Sequence, residues 1–184
     1  MKLLYLTSFA AMILVGCTVS SGRAETANPF APLTYTPQGN YGQALVDMEM
    51  ARHPELKILT VHVTPPGVAA TADAERRLLF SNIGRIGKVD NAADGEVFRG
   101  GVEVIEVLKE AAPPSTNFSI TAAPKYEVVE ILQDATGAKI GLIVMVFPYH
   151  ENFDLGKYRT VAQAVARELN RRVTTKDGLF KPAS

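Results

Sequence analysis

Apolar and polar residues alternate along residues 125–133. Tyr126, Val128, Glu130 and Leu132 take one side, and Lys125, Glu127, Val129 and Ile131 take the other. A period of two with β-branched enrichment predicts a strand. Residues 139–147 are almost wholly apolar, which predicts a second strand covered on both faces. Between them Asp134, Ala135, Thr136 and Gly137 carry turn chemistry: Asp bonds the backbone ahead of it, and Gly accepts the left-handed residue that closes such hairpins. The rest of the chain is organised around this hairpin.

Residues 56–64 alternate in the same way, with Ile58, Thr60, His62 and Thr64 on one face and Leu59, Val61 and Val63 on the other. Residues 77–82 predict a further strand. Residues 40–53 show a helical stripe of Tyr41, Leu45, Met48 and Arg52 flanked by Ala44 and Ala51, which Pro54 ends. Residues 155–173 predict a long amphipathic helix, because Tyr158, Val161, Ala162, Val165, Leu169 and Val173 share a face. Arg167, Arg171 and Arg172 sit in its later turns, where the helix dipole favours cations. Residues 102–111 fit both periods: Val102, Val104 and Glu106 alternate as in a strand, while Val104, Val107, Leu108 and Ala111 line a helical face. Residues 91–101 read as a polar loop. Asp90, Asp94 and Glu96 lack the ligand spacing of a calcium loop and read as solvated surface. The chain after Thr174 reads as a frayed tail.

The N-terminus has a different grammar. Met1 and Lys2 form a short positive region, and residues 3–15 form an apolar run too short to span a bilayer. Leu14, Val15, Gly16 and Cys17 resemble a lipobox, the site at which bacterial lipoproteins are cleaved and acylated on cysteine. Cys17 is the single cysteine of the 184 residues, so it forms no internal disulfide. The competing reading is ordinary secretion with cleavage after Ala24; both readings place the protein outside the cytoplasm. The expected organisation is a leader over residues 1–16, and a Pro-spaced tether over residues 17–38 with Pro29, Pro32 and Pro37. One domain over residues 39–174 and a tail over residues 175–184 complete it. Beyond the leader no apolar run reaches membrane-spanning length, so attachment is expected by lipid only, on the outer membrane where the cell has one.

Lys+Arg and Asp+Glu balance at 19 each, which argues against a nucleic-acid partner. No His-Glu-x-x-His, Cys-x-x-Cys or Gly-x-Ser-x-Gly occurs, and His53, His62 and His150 lie far apart in sequence. Ser81 can be sketched beside one of these histidines as a nucleophile and base, but nothing in the sequence requires it. Gly84 and Gly87 do not complete a phosphate loop, since Val89 follows Lys88 where a hydroxyl residue belongs. Catalytic residues, metal ligands and cofactors are therefore not expected.

Three stretches together resemble Cache domains, the PAS-like ligand-sensing domains of the bacterial cell exterior. The first is Asp134, Gly137 and Gly141 followed by the apolar residues 142–147. The second is a strand ending at Ser81 and Asn82 that runs into Ile86, Gly87 and Lys88. The third is His53, Pro54, Glu55 and Leu56 ahead of the first strand. The resemblance covers residues 40–150 and fits a single Cache unit. It implies an α+β fold with a central antiparallel sheet of about five strands, an N-terminal helix, a helical connector between the second and third strands, and a long C-terminal helix. That connector favours helix for residues 102–111. The resemblance also implies a small-molecule ligand between the sheet and the connector. Carried onto this chain, the site would hold Ser81, Asn82, Arg85 and Lys88, with His62, Tyr126 and His150 as further polar-tipped candidates. Arg85 and Lys88 beside a glycine-rich turn suit a carboxylate. No output segment is evident after residue 173, so a sensor of this kind would signal through a membrane partner. The alternative is a PAS-like scaffold that binds another envelope protein and no small ligand.

Overall fold

A computed structural model describes residues 37–100, 125–150 and 152–183 with their side chains, and residues 104–108 along the backbone. The leader, Cys17, Ala24, nearly all of the tether and residues 109–124 lie outside the described residues. Strands β1 (Ile58–Val63), β2 (Arg77–Ser81), β3 (Val104–Leu108), β4 (Lys125–Gln133) and β5 (Lys139–Pro148) form a sheet in the order β2-β1-β5-β4-β3. All neighbours in it are antiparallel. Helices α1 (Tyr41–Arg52), α2 (Ala92–Gly100) and α3 (Leu155–Arg172) complete the fold with a 3-10 turn at Asp177–Phe180. The architecture is α+β, with a helix ahead of the antiparallel sheet and a long one after it.

Alternation along the strands decides what each face meets. Leu59, Val61 and Val63 of β1, Tyr126, Val128 and Leu132 of β4, and Ile143, Met145 and Phe147 of β5 form the main core. Leu45 and Val46 of α1 and Val165 and Leu169 of α3 pack against it. On the opposite face a smaller cluster joins Val97 and Phe98 of α2 to Val129, Leu142 and Val144. β5 is buried from Ile140 through Phe147 because both faces are covered, as its unbroken apolar run requires. Burying each such Val or Leu stabilises by roughly 1.5–3 kcal/mol.

The β4–β5 turn forms where its residues predict. Asp134 N–H donates to the Ala138 carbonyl at 3.0 Å, and Gly137 N–H to the Asp134 carbonyl at 2.9 Å. Asp134 Oδ1 accepts from the Thr136 and Ala138 backbone and from the Thr136 hydroxyl. That hydroxyl leads the bonds that hold the carboxyl below its ordinary range against the opposing effect of desolvation. Gly137 has φ 79°, and a Cβ there would meet nothing within 4 Å. The cost of a side chain is therefore conformational alone. Gly137→Val should lower stability by about 1 kcal/mol or more and Gly137→Asn by less; equal melting of both variants and the parent would overturn this assignment.

The helix α1 buries Gly42, Gln43, Leu45, Val46 and Glu49, a face rotated from the stripe read in the sequence. Gly42 explains the rotation: a Cβ there would lie 2.7 Å from the Phe80 ring, so the glycine lets that ring reach the helix backbone.

Three expectations are corrected. Residues 104–108 form a strand, not a helix, and pair with β4 from Val104↔Val129 to Leu108↔Lys125; of the two periods the stretch carries, strand pairing selects the shorter. A helical connector between the second and third strands does exist, but it lies earlier, in residues expected to be loop. Asn91 and Asp94 cap its start reciprocally, each backbone N–H donating to the other's side chain, at 2.9 and 3.0 Å. Finally, the tail is docked. Leu179 is buried and Phe180 packs 5.2 Å from Phe80 between ring centroids. Lys176 donates to the carbonyls of Pro65 and Val68, and Asn40 bridges Pro182.

Candidate functional site

The face that carries α2 is only partly covered by it. Beside the helix lies a cavity of about 300 Å³, floored by the sheet through Ile58, Thr60 and His62 of β1, Val144 and Val146 of β5, and Lys125 and Glu127 of β4. Register explains the set: Thr60 pairs with Val144 and Ile58 with Val146, while Glu127 pairs with Val146 on the other side of β5. Residues opposite one another in an antiparallel sheet share a face. The walls are Leu78, Ile83, Arg85 and Lys88 from β2 and the loop after it, with Asn91 and Asp94 at the start of α2.

The loop is shaped by backbone conformation. Gly84 (φ 73°), Arg85 (φ 60°) and Gly87 (φ 91°) are all left-handed, and Arg85 is the one non-glycine with positive φ among the described residues. A left-handed backbone at a residue that carries a Cβ costs on the order of 1–3 kcal/mol, and such residues cluster at functional sites. Gly87 N–H donates to the Leu78 carbonyl, and Leu78 N–H to the Lys88 carbonyl, both at 2.8 Å. The chain thus doubles back along β2 and brings Arg85 and Lys88 over the sheet.

Three cations therefore converge on one cavity: Arg85, Lys88 and Lys125. Burial holds the Lys125 ammonium below its ordinary range, and Arg85 and Lys88 push the same way while Glu127 opposes them.

Deeper in the site runs a buried polar chain. Thr60 Oγ1 lies 2.9 Å from His62 Nε2, and His62 Nδ1 lies 2.7 Å from Asp90 Oδ1. Arg76 Nε donates to Asp90 Oδ2 at 3.0 Å, and the Arg76 guanidinium sits 4.0 Å from the centre of the Phe98 ring. Thr60, His62, Arg76 and Asp94 are all buried. Asp90 and Asp94 are therefore not solvated surface, contrary to the sequence reading. The sequence placed them in a loop, where acids ordinarily face water, and the connector helix folds them against β1.

Ligand atoms of His62, Asp90 and Asp94 lie within 4.8 Å of one another, a set with the donors for a divalent cation. Both Asp90 oxygens are already taken by His62 and Arg76, and Asp94 Oδ2 accepts from Asn91 N–H. The guanidinium supplies the positive charge that a cation would bring, so this cluster is satisfied as it stands.

Of the expected site residues, the structure brings together His62, Arg85 and Lys88. Ser81 and Asn82 instead fasten the loop from behind. Ser81 exchanges backbone bonds with the Gln43 side chain, and its hydroxyl accepts from Ile83 N–H. Asn82 accepts from Leu59 N–H and donates to the Lys57 carbonyl. The Ser81 hydroxyl is thus not paired with a histidine as sketched. Tyr126 points to the opposite face, fully buried against Phe147 and Phe153. His150 lies exposed beyond β5, edge-on to Phe153 at 5.7 Å. Thr60, Lys125, Glu127 and Asp94 were missed. For the first three the signal was present, since alternation alone puts Thr60 with His62, and Lys125 and Glu127 opposite Tyr126.

No protein-family model and no curated protein matches the chain. Among solved structures it is similar to a protein assigned as a GAF sensor from Burkholderia vietnamiensis, with TM-score 0.49 and 13% identity over 72% of this chain and 74% of that one. It is also similar to the reduced form of fRMsr of Staphylococcus aureus, with TM-score 0.47 and 11% identity over 71% of this chain and 81% of that one. Neither likeness bears on what the cavity holds.

Proposed function

We propose that this chain is a Cache-type, PAS-like binding module of the cell exterior that holds a small anionic metabolite, a carboxylate in particular, between its sheet and the loop after β2. The observation that carries this reading is the convergence of Arg85, Lys88 and Lys125 on one cavity, where burial and the two cationic neighbours disfavour the Lys125 charge and Glu127 of the same cavity favours it. An anion among them relieves that repulsion. A polar-rimmed cavity of about 300 Å³ is of the size that small ligands occupy, which favours sensing over a purely protein-binding scaffold. A membrane partner would relay occupancy.

Thr60, His62 and Asp90 also stand in the order of a nucleophile, base and orienting acid. Thr60 is internal to β1, however, and the strand is paired on both sides. Binding without catalysis is the reading we adopt.

Arg85→Gly provides the test, because it removes the guanidinium and the backbone cost together. Losing a charged contact of about 1.5–3 kcal/mol should weaken binding of short carboxylates roughly tenfold to hundredfold in calorimetry, with no fall in melting temperature. Undiminished binding would remove Arg85 from the site, and no carboxylate binding to the parent protein would favour the interaction module.

The leader and Cys17 support a lipoprotein in this proposal, held on a membrane face by acyl chains that each contribute about 0.8 kcal/mol per buried CH₂. Detergent phase partitioning of protein expressed from the full precursor should place it in the detergent phase, and Cys17→Ser should move it to the aqueous phase. A parent protein found wholly aqueous and cut after Ala24 would sink this part.

A further inference from the structure

The buried chain from Arg76 to Thr60 has a direction, and that direction has a consequence for what the cavity accepts. Asp90 is bracketed by the Arg76 guanidinium at Oδ2 and the His62 ring at Oδ1. Arg76 is held in turn by the carbonyls of Thr71 and Ala74 and by the Phe98 face. A carboxylate only accepts hydrogen bonds, so His62 must carry its hydrogen on Nδ1. With that hydrogen on Nδ1, the uncharged form of the ring offers a lone pair at Nε2, 2.9 Å from Thr60 Oγ1. The single hydroxyl hydrogen of Thr60 is spent there. What Thr60 has left at the cavity floor is lone pairs.

We infer that Thr60 is a specificity-determining acceptor, set by the Arg76–Asp90–His62 chain, and that the ligand is an anion which also carries a hydrogen-bond donor, a hydroxy-carboxylate in its simplest form. This rests on the anion cavity proposed above: Arg85, Lys88 and Lys125 hold the carboxylate, and Thr60 reads the group beside it. A hydroxyl donates to Thr60. A hydrogen in its place forgoes the bond, and a keto oxygen sets lone pair against lone pair in a buried setting, where an unmatched polar group is costly. His62 acts here as a positioning residue, since it fixes which way the Thr60 hydroxyl points.

Lactate, propionate and pyruvate differ at that one position, and calorimetry with the three on the parent protein, Thr60→Val and Thr60→Ser gives the test. The parent should bind lactate about tenfold or more tighter than propionate, a difference near 1.4 kcal/mol, with pyruvate weakest. Thr60→Val, of nearly the same shape but without lone pairs, should bring lactate and propionate to parity, and Thr60→Ser should restore the order. Pyruvate binding the parent as well as lactate does, or a lactate preference that survives in Thr60→Val, would overturn the assignment. If all three bind the parent equally, the anion cavity stands and the acceptor role of Thr60 falls. If none binds, the cavity reading fails and takes this inference with it. Should Thr60→Val not fold, the ligand order on the parent decides alone.

Discussion

Arg76→Met is expected to cost about 3–5 kcal/mol of folding stability, read as a lowered urea midpoint. The arginine is 4% exposed. Its loss would leave the Asp90 carboxylate, whose side chain is 6% exposed, buried with only the His62 ring for a partner. Removing one member of a buried pair is expensive because the other charge stays behind without compensation. Arg76→Lys should rescue little, since an ammonium cannot bond Asp90, reach the Thr71 and Ala74 carbonyls and lie flat on Phe98 at once. The double variant Arg76→Met, Asp90→Leu should lose less than either single change, because neither charge is then stranded. A cost below about 1 kcal/mol for Arg76→Met, the scale of an exposed ion pair, would mean that water reaches this network.

Gly141→Ala is expected to be nearly as damaging for a different reason. A Cβ on Gly141 would lie 2.3 Å from the His62 carbonyl oxygen and 2.6 Å from Val63 Cγ1. Gly141 pairs with Val63 across the β1–β5 ladder, so the obstacle includes backbone that cannot swing aside. Overpacking at such a site costs about 1–3 kcal/mol, and the upper end is expected because two paired strands must separate. The displacement would begin at His62 itself, so ligand binding should weaken in whatever fraction of the variant still folds. A variant that melts with the parent would show that the two strands stand further apart than described.

How much of this was legible in the sequence depends on how local the deciding interactions are. The β4–β5 hairpin was readable because its turn chemistry and alternation lie within a dozen residues. The faces of β1 were readable for the same reason. Residues 104–108 were not, because their pattern satisfies both periods and the choice is made by β4, which is non-local in the chain. The helix α2 was hidden by Gly95 and Gly100, poor helix formers, and only the reciprocal Asn91–Asp94 cap and the adjacent Val97 and Phe98 hint at it. Gly141 was read as part of a hairpin pattern; its actual requirement comes from β1, nearly eighty positions earlier. In the site, Arg85 and Lys88 were found through the loop that carries them. Asp90 and Arg76 were not, because nothing in a sequence shows that a strand-edge arginine and a strand histidine will share a loop acid.

The docked tail bears on how this protein is made. Tyr41 N–H at the start of α1 donates to the Lys181 carbonyl at 2.8 Å, and Ala183 N–H donates to the Gly39 carbonyl at 2.7 Å. The first turn of the first helix is thus completed by the last residues of the domain. A chain emerging from a ribosome, amino end first, can form the hairpins as they appear but cannot complete the bonds at the start of α1 until residues near 183 are free. At a synthesis rate of about 5–20 residues per second the domain spends several seconds with the Leu45, Val46 and Phe80 surfaces only partly covered.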